Sequence, residues 1–363
     1  SPTCAPTRSA LMTGRYNNRV GVWHTVTGRT LLRENEETMA EIFRDNGYAT
    51  AMFGKWHLGD NYPRRPHDVG FQSAIYHAGG AIGNTNDYWD NDYFDDHYYV
   101  NGEFKQFEGY CTDVWFNEAA SFIAKNKESP FFCYISTNAP HGPLYVEEKY
   151  SDQYRGDTLI PSARFYGMIT SIDENIGRLR AYLKEEQLDR NTIFIFMTDN
   201  GTAGGVIIEG HWSNGFPNEY GYSAGMRGRK GSPYEGGHRV PCFIHWPAGG
   251  LGEGKEFDGL TAHIDILPSL MEMGGVRRSG SNSLDGMSLW KYIKGELKWE
   301  QGKRTLFVDS QRVEEPEHYR GSAVMQKNWR LVLGKELYDL KKDPGQERDV
   351  AKEYPEKVKE MQG

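Results

Sequence analysis

The feature that most constrains this fold is a repeated alternation of helix-like segments with short apolar segments of strand length. The helix-like segments lie at residues 37–46, 113–127, 163–186 and 262–273. The apolar runs lie at residues 48–53, 131–137, 192–198 and 241–246. Alternation of this kind predicts an α/β fold in which helices cover both faces of a sheet.

The pattern changes near residue 285, which indicates a second, smaller unit. Its short apolar runs, typical of an antiparallel sheet, lie at residues 305–309, 322–326 and 330–333. A turn-like segment at 339–345 and a charged, helix-like tail at 349–361 follow them. We therefore predict a catalytic domain at residues 1–285 and a C-terminal α+β subdomain at residues 286–363.

Composition excludes several classes of protein. A net charge of −8 over 363 residues argues against a nucleic-acid-binding protein, which normally presents a basic face. No apolar run approaches the ~18 residues of a membrane span, so no membrane span is expected.

The four cysteines lack zinc-site spacing, and a disulfide framework is not expected. Cys133 and Cys242 lie in apolar runs and are predicted to be core residues.

Ionisable and metal-binding side chains follow three of the apolar runs, where we expect strands to end. Lys55 and His57 follow the first of these runs, and His141 follows the second. Asp199 and Asn200 follow the third. Open α/β sheets bind ligands beyond the carboxyl ends of their strands. We therefore predict one shared site with a cation, two imidazoles and a pair of hard oxygen donors.

The first fifteen residues add a cysteine and an arginine. Pro6 and Thr7 fit the start of a helix, and Thr13-Gly14 fits its end. Cys4 is therefore predicted to lie just ahead of a helix N-terminus, where the helix dipole favours anions. Arg8, one turn further along, is placed to hold an anionic group on the same side.

Six segments resemble the sulfatase family, in the family's order. The first, C-A-P-T-R-S-A-L-M-T-G-R (4–15), is similar to the signature whose Cys-x-Pro-x-Arg core directs oxidation of the cysteine to formylglycine. The others are G-K-W-H-L-G (54–59), A-P-H-G-P (139–143), T-D-N-G (198–201), G-M-R-G-R-K-G-S-P-Y-E-G-G-H-R-V-P (225–241) and E-L-Y-D-L-K-K-D-P-G (336–345). The resemblance implies the alkaline-phosphatase-like fold: a large mixed sheet flanked by helices, with a small C-terminal antiparallel sheet.

The resemblance also implies an activity, the hydrolysis of sulfate esters. Cys4, converted to formylglycine by a formylglycine-generating enzyme, would be the nucleophile. One hydroxyl of the hydrated aldehyde would attack sulfur and expel the alcohol, and the other would then collapse the sulfated diol to release sulfate. Arg8 would stabilise the diol or bind oxygens next to the metal. His57 would hydrogen-bond the diol and help return the aldehyde.

Three further residues match positions that handle the sulfate ester in sulfatases. Lys55 and Lys230 would bind the sulfate oxygens. A cation ~4 Å from a unit negative charge gains about 4 kcal/mol at an effective dielectric constant of 20, so two cations matter. His141 would contact both the sulfate and the leaving oxygen, where it could act as general acid.

A divalent metal is implied as cofactor, held by Asp199, Asn200 and formylglycine at position 4. Hard oxygen donors suit Ca²⁺, with Mg²⁺ as the alternative, and no His/Cys cluster has zinc spacing. Sulfatases of this type complete the metal site with two adjacent Asp residues on a first strand upstream of the Cys motif, and we expect that strand to be missing from these residues. We therefore expect weak calcium binding, an exposed strand edge, aggregation and poor hydrolysis from residues 1–363 alone.

The expected substrate is a sulfated carbohydrate or an aryl sulfate. Residues 76–110 are rich in Tyr, Trp, Asn and Asp, which suits sugar rings but equally suits an ordered excursion packed on the domain. His211 and His238 lie near Lys230 in sequence and are further candidates for substrate contact. A periplasmic or extracellular location is the expectation from the family.

Two alternatives stay open. Phosphodiester and phosphonate monoester hydrolases of the same superfamily share the formylglycine motif, although they tend to carry Asp-His where this chain has Asp199-Asn200. A catalytically silent sugar-binding protein on the same fold is the second alternative, if Cys4 is never oxidised.

Overall fold

A computed structural model describes residues 1–26, 28–84, 87–157, 160–203, 222–252 and 254–363. The helices of this part are α1 (Cys4–Thr13), α2 (Met39–Asp45), α3 (Cys111–Asn126), α4 (Glu148–Ser151), α5 (Ala163–Glu185), α6 (Glu235–His238), α7 (Ile266–Gly274), α8 (Trp290–Ile293) and α9 (Pro355–Gln362). The strands are β1 (Ala49–Lys55), β2 (Ser73–His77), β3 (His97–Val100), β4 (Glu103–Gln106), β5 (Phe131–Ser136), β6 (Phe194–Met197), β7 (Cys242–His245), β8 (Thr305–Asp309), β9 (Ser322–Gln326), β10 (Trp329–Val332) and β11 (Glu336–Asp339).

The main sheet has five strands in the order β4-β3-β2-β1-β5. β1 pairs in parallel with β2 and β5, whereas β3 and β4 join the β2 edge in antiparallel fashion. Side chains of β1 alternate between two cores, as strand geometry requires. Met52 packs in a core with α2, and Phe53 packs with α3 in the other core. The predicted mixed α/β sheet with helices on both faces is therefore confirmed.

β6 and β7 form a separate antiparallel pair. In the part of the chain that the structure describes, β5 pairs with β1 alone and β6 pairs with β7 alone, so each keeps one unpaired edge. Residues 131–135 of β5 and all of β6 are only partly buried. Cys242, which we predicted to be a core residue, is exposed at the start of β7, and Cys133 is partly buried. That prediction was wrong for Cys242 because an apolar run does not reveal which strand edge or face is covered.

The C-terminal strands form a four-stranded antiparallel sheet in the order β11-β10-β9-β8, as predicted. β11 was not expected; it lies directly before the segment that we expected to be a turn and shares only Asp339 with it. The final helix begins at Pro355, later than the expected residue 349. The sheet shares a hydrophobic core with the catalytic part, since Ala10 of α1 and Ile264 pack with Leu306 and Val332. The domain boundary at residue 285 stays a prediction.

Candidate active site

Cys4 is the first residue of α1 and is buried, with 3% of its surface exposed. Thr3 is the N-cap, and Gly14 ends the helix in the left-handed conformation. We predicted Cys4 just before the helix, but the helix starts at Cys4, two residues earlier than Pro6 suggested. A first turn accommodates proline because its backbone N–H groups have no partner within the helix.

The carboxyl end of β1 carries Lys55 and leads into His57. Gly54 permits a close approach to β5, because a Cβ at this position would lie 2.2 Å from the Ser136 carbonyl oxygen. Lys55 is 2% exposed and ends the strand. His57 has a left-handed backbone (φ 64°), and its N–H donates to the Ala78 carbonyl at 3.1 Å, which anchors the residue to the loop after β2.

Arg8 joins the elements that form the site. Its Nε and Nη2 atoms both lie 3.0 Å from Asp199 Oδ2. Its Nη1 donates to the Lys55 carbonyl at 3.0 Å and to the Ser136 hydroxyl. One buried guanidinium therefore connects α1, the ends of β1 and β5, and the turn after β6. The predicted convergence of these strand ends on the Cys4 segment is what the structure shows.

The hydrogen bond to the Thr25 carbonyl sets the orientation and tautomer of the His57 ring. Nε2 lies 2.8 Å from that oxygen, which can only accept, so a neutral ring carries its proton on Nε2. Nδ1 is then an unprotonated, buried acceptor, and no described residue gives it a hydrogen bond of good geometry. The ring also interacts with the Cys4 side chain. His57 is thus arranged to accept a proton from a group at position 4.

The electrostatic field of the site is positive. Burial raises the pKa of the Cys4 thiol, but Lys55, Lys230 and His57 together outweigh burial and bring the pKa well below its ordinary value. Burial likewise opposes ionisation of Asp199, but Arg8, Lys55 and Lys230 hold its pKa below the usual range. Both effects favour a negative charge at this place, although the chain as a whole carries −8.

Burial and the same positive field also lower the pKa values of the basic groups, which disfavours their charged forms. Burial, together with Arg8 and Lys230, lowers the pKa of Lys55 to about 8. Burial and the cations Lys55 and Lys230 lower the pKa of His141 to about 4. Its Nδ1 lies 2.7 Å from the Gly142 carbonyl and donates to it, so Nε2 of a neutral ring carries no proton. His141 can donate from Nε2 only after an anion in the site has raised its pKa again.

The turn at Asp199-Asn200-Gly201 packs backbone to backbone against residues 225–238, which we call the Lys230 loop. Gly201 N–H donates to the Gly237 carbonyl at 2.9 Å, and a Cβ on Gly201 would lie 1.8 Å from the Gly236 oxygen. Lys230 N–H donates to the Thr202 carbonyl at 2.9 Å. These contacts bring Lys230 to the cluster around Cys4 from a distant part of the sequence.

The donors of Asp199 and Asn200 fit a hard cation. Asn200 Oδ1 is buried with no hydrogen-bond partner in the described residues, and the adjacent carboxylate is kept ionised. Ca²⁺ takes six to eight oxygen ligands, so these two side chains would be only part of its coordination sphere. Across residues 1–26, 28–84, 87–157, 160–203, 222–252 and 254–363, no group of three or more His, Cys, Asp or Glu side chains could hold a metal ion.

Several supporting residues were not found from the sequence. The Ser136 hydroxyl contacts Arg8, and the Thr25 carbonyl contacts His57. Neither residue belongs to a polar motif that follows a strand. His238, a predicted candidate for substrate contact, lies in the Lys230 loop with its side chain 8% exposed, and its Nε2 is hydrogen-bonded to the Pro233 carbonyl at 3.2 Å. His211 lies outside the described residues.

The aromatic segment at residues 76–110 is mainly a packed excursion. Tyr93, Tyr98 and Tyr110 are each at most 2% exposed and belong to the core that includes α3. Trp89, by contrast, is 91% exposed. The aromatic side chains of this segment therefore divide into core residues and exposed ones, and sugar binding by the exposed ones stays a prediction. In the described residues, no helix combines the length and the apolar character needed to cross a membrane.

Comparison with known proteins gives a consistent result. The family described as Sulfatase matches residues 1–276. The chain is 28% identical over 333 residues to the uncharacterized sulfatase YdeN of Escherichia coli, covering 84% of this chain and 55% of that protein. It is 28% identical over 346 residues to mouse (Mus musculus) N-acetylgalactosamine-6-sulfatase, covering 90% of this chain and 61% of that one. The chain thus spans little more than half the length of these relatives.

The fold is also similar to solved structures. The crystal structure of Ps i-CgsB in complex with k-i-k-neocarrahexaose superposes with a TM-score of 0.83 and 26% identity, covering 99% of this chain and 80% of that one. The phosphonate monoester hydrolase of Agrobacterium radiobacter superposes with a TM-score of 0.62 at 20% identity, covering 99% of this chain and 85% of that one. The second match is evidence for the fold alone.

Proposed function

Because this chain belongs to the sulfatase family, we propose that it hydrolyses sulfate esters at the site around Cys4. One observation carries the proposal. Arg8, Lys55 and Lys230 act on the same buried region, where Asp199 is the carboxylate that they influence. Among the described residues, three cations against one carboxylate leave positive charge that a bound sulfate group would compensate.

Lys55 and Lys230 bind the sulfate oxygens in this proposal. Lys55 is buried at the end of β1, whereas Lys230 lies on a separate loop that is hydrogen-bonded to the segment after β6. Two cations on separate elements would orient the ester relative to position 4, which is the positioning that brings reacting groups into contact. Arg8 fixes Asp199 and the ends of β1 and β5 around them.

The two histidines have different proton roles. His57, with its proton held on Nε2 by the Thr25 carbonyl, accepts a proton at Nδ1 from the group at position 4. His141 gains a proton once the sulfate ester neutralises the lysines that depress its pKa, and then donates it from Nε2 to the leaving alcohol oxygen. General acid catalysis of this kind matters most for poor leaving groups.

Asp199 and Asn200 would hold the metal, together with the modified residue 4. When bound, Ca²⁺ or Mg²⁺ would supply positive charge next to the sulfate, and formylglycine at position 4 would supply the attacking hydroxyl. We propose that additional carboxylate ligands come from a strand between β5 and β6. Support comes from the unpaired edges of these two strands and from their partly exposed side chains.

The proposed substrate is a sulfated carbohydrate. Support comes from the N-acetylgalactosamine-6-sulfatase relative and from the structural neighbour in complex with a neocarrahexaose. The proposal includes maturation by a formylglycine-generating enzyme, which the C-A-P-T-R segment (4–8) would engage. It also includes a periplasmic or extracellular location, in accord with the family.

The test compares sulfate release from an aryl sulfate with phosphate release from the matching aryl phosphate. The intact protein is co-produced with a formylglycine-generating enzyme, and Lys230→Ala serves as a second sample. We expect faster hydrolysis of the sulfate ester and at least a tenfold loss in kcat/KM for Lys230→Ala. Preference for the phosphate ester would favour the phosphoester-hydrolase alternative, and no hydrolysis of either ester would favour the sugar-binding one.

A further inference from the structure

We propose that the C-terminal sheet is part of the sulfate-binding apparatus, because Arg330 and Gln346 act as positioning residues for the Lys230 loop. The inference rests on the proposed function, in which Lys230 binds sulfate. The two positioning residues, Arg330 and Gln346, lie outside the six motifs described above. Its basis is a set of buried polar contacts that join the loop to β10, β11 and the turn that follows.

Glu235, at the start of α6 in the loop, is the first anchor. Its carboxylate is 2% exposed and accepts a hydrogen bond from Arg330 Nε of β10 at 2.7 Å. Its backbone N–H donates to Gln346 Oε1 at 2.8 Å. Arg330 is itself fixed, because Nη1 donates to the carbonyls of Lys327 and Trp329. The carboxylate is therefore held by a side chain that has little freedom to move.

Arg227 is the second anchor, near the other end of the loop. Its Nη1 donates to the Tyr338 hydroxyl at 2.9 Å and to the Gln346 carbonyl at 3.1 Å. Its guanidinium lies 4.1 Å from the centre of the Tyr234 ring, and Tyr234 donates to Glu336 of β11 at 2.6 Å. Gln346 thus contacts both ends of the loop. Its side chain accepts a hydrogen bond from the Glu235 amide, and its backbone carbonyl accepts one from Arg227.

The loop transmits this anchoring to the catalytic residues by backbone contacts. Gly236, next to Glu235, packs against Gly201, with no room for a Cβ between them. The amide of Gly231, which follows Lys230, donates to the Pro2 carbonyl at 2.8 Å, two residues before Cys4. A shift at Glu235 would therefore be transmitted along the loop backbone to Lys230.

The burial of the Glu235–Arg330 ion pair indicates that the pair positions the Lys230 loop and does not only stabilise the fold. A buried ion pair adds little net stability relative to apolar packing, because removing both charges from water costs about as much as their attraction returns. Breaking one partner is costly, however, and the remaining carboxylate would move toward water or toward other cations. Such a pair fixes one arrangement of the loop, which is what a cation aimed at a sulfate requires.

The first test follows hydrogen exchange of residues 225–238. Arg330→Met removes the first anchor, and Tyr338→Phe removes the hydroxyl that is hydrogen-bonded to Arg227 and Glu336. Arg320→Met is the matched control from an exposed ion pair of the same subdomain. We expect the loop amides to exchange at least about tenfold faster in the first two variants, with β1 unchanged. Unchanged loop exchange, or equal acceleration throughout the chain, would overturn the positioning role. If Arg330→Met does not fold, Tyr338→Phe decides.

The second test measures whether the effect on catalysis acts through Lys230. In the intact, matured protein, we expect Arg330→Met to lower kcat/KM for an aryl sulfate about tenfold, mainly through KM, and to weaken inhibition by inorganic sulfate to the same extent. In a Lys230→Ala background the same change should cost less than about twofold. Equal losses in both backgrounds would overturn the inference. If Lys230→Ala alone has no effect, the proposed sulfate-binding role fails instead, and the exchange experiment still decides whether the loop is positioned.

Discussion

The contact between Gly201 and Gly236 leads to a strong prediction for Gly201→Ala. The new Cβ would lie 1.8 Å from the Gly236 oxygen, whereas ordinary contacts begin at 3.4 Å, so the two backbones must separate by about 1.6 Å. Overpacking of this kind costs about 1–3 kcal/mol of folding free energy. Misplacing catalytic groups by ~1 Å costs about 100-fold in rate. We therefore expect a stable but nearly inactive protein.

The assay combines urea unfolding with kcat/KM for an aryl sulfate. Gly177→Ala is the matched control, because it lies within α5 and a Cβ there would meet nothing within 4 Å. The control should be neutral, or more stable by up to about 1 kcal/mol, since alanine favours helix. Activity of Gly201→Ala within threefold of the parent would refute the conclusion that this backbone contact positions Asp199 and Asn200.

The remaining predictions concern single groups of the site. Cys4→Ala should abolish turnover with little change in melting temperature, and residual activity above about a tenth of the parent would contradict its role as nucleophile. His141→Ala should slow alkyl sulfates more than activated aryl sulfates, because only poor leaving groups need the proton; equal losses would leave His141 a purely positional role. A chelator should lower kcat, and adding Ca²⁺ should restore it. Asn200→Ala should raise the calcium concentration that this recovery requires. Full activity in the presence of the chelator would exclude the metal site.

The sequence was most informative where local chemistry follows a strand. Lys55, His57 and Asp199 were all assigned to strand ends because turns and polar residues directly follow apolar runs, and Arg8 was placed one turn into a helix. The structure brings these residues together as expected. Their roles in catalysis stay predictions, since distances alone show which groups meet and not what each does.

The supports of the site could not be predicted, because they depend on contacts between distant segments. Arg330 and Glu235 are separated by 95 positions, and nothing in either local pattern selects the other as partner. β11 was missed because its four residues precede a turn motif that dominates the local signal. Cys242 was misplaced because periodicity cannot show whether a partner covers a strand.

The central claim is that Cys4 becomes the nucleophile, and mass spectrometry of the tryptic peptide that ends at Arg8 tests it most directly. The peptide should be released by trypsin from protein co-produced with a formylglycine-generating enzyme, with the chain produced without that enzyme as reference. Formylglycine is lighter than cysteine and reacts with aldehyde reagents. We predict that the lighter, aldehyde-bearing peptide predominates in the active protein. An active protein whose peptide still carries an unmodified Cys4 would contradict the account.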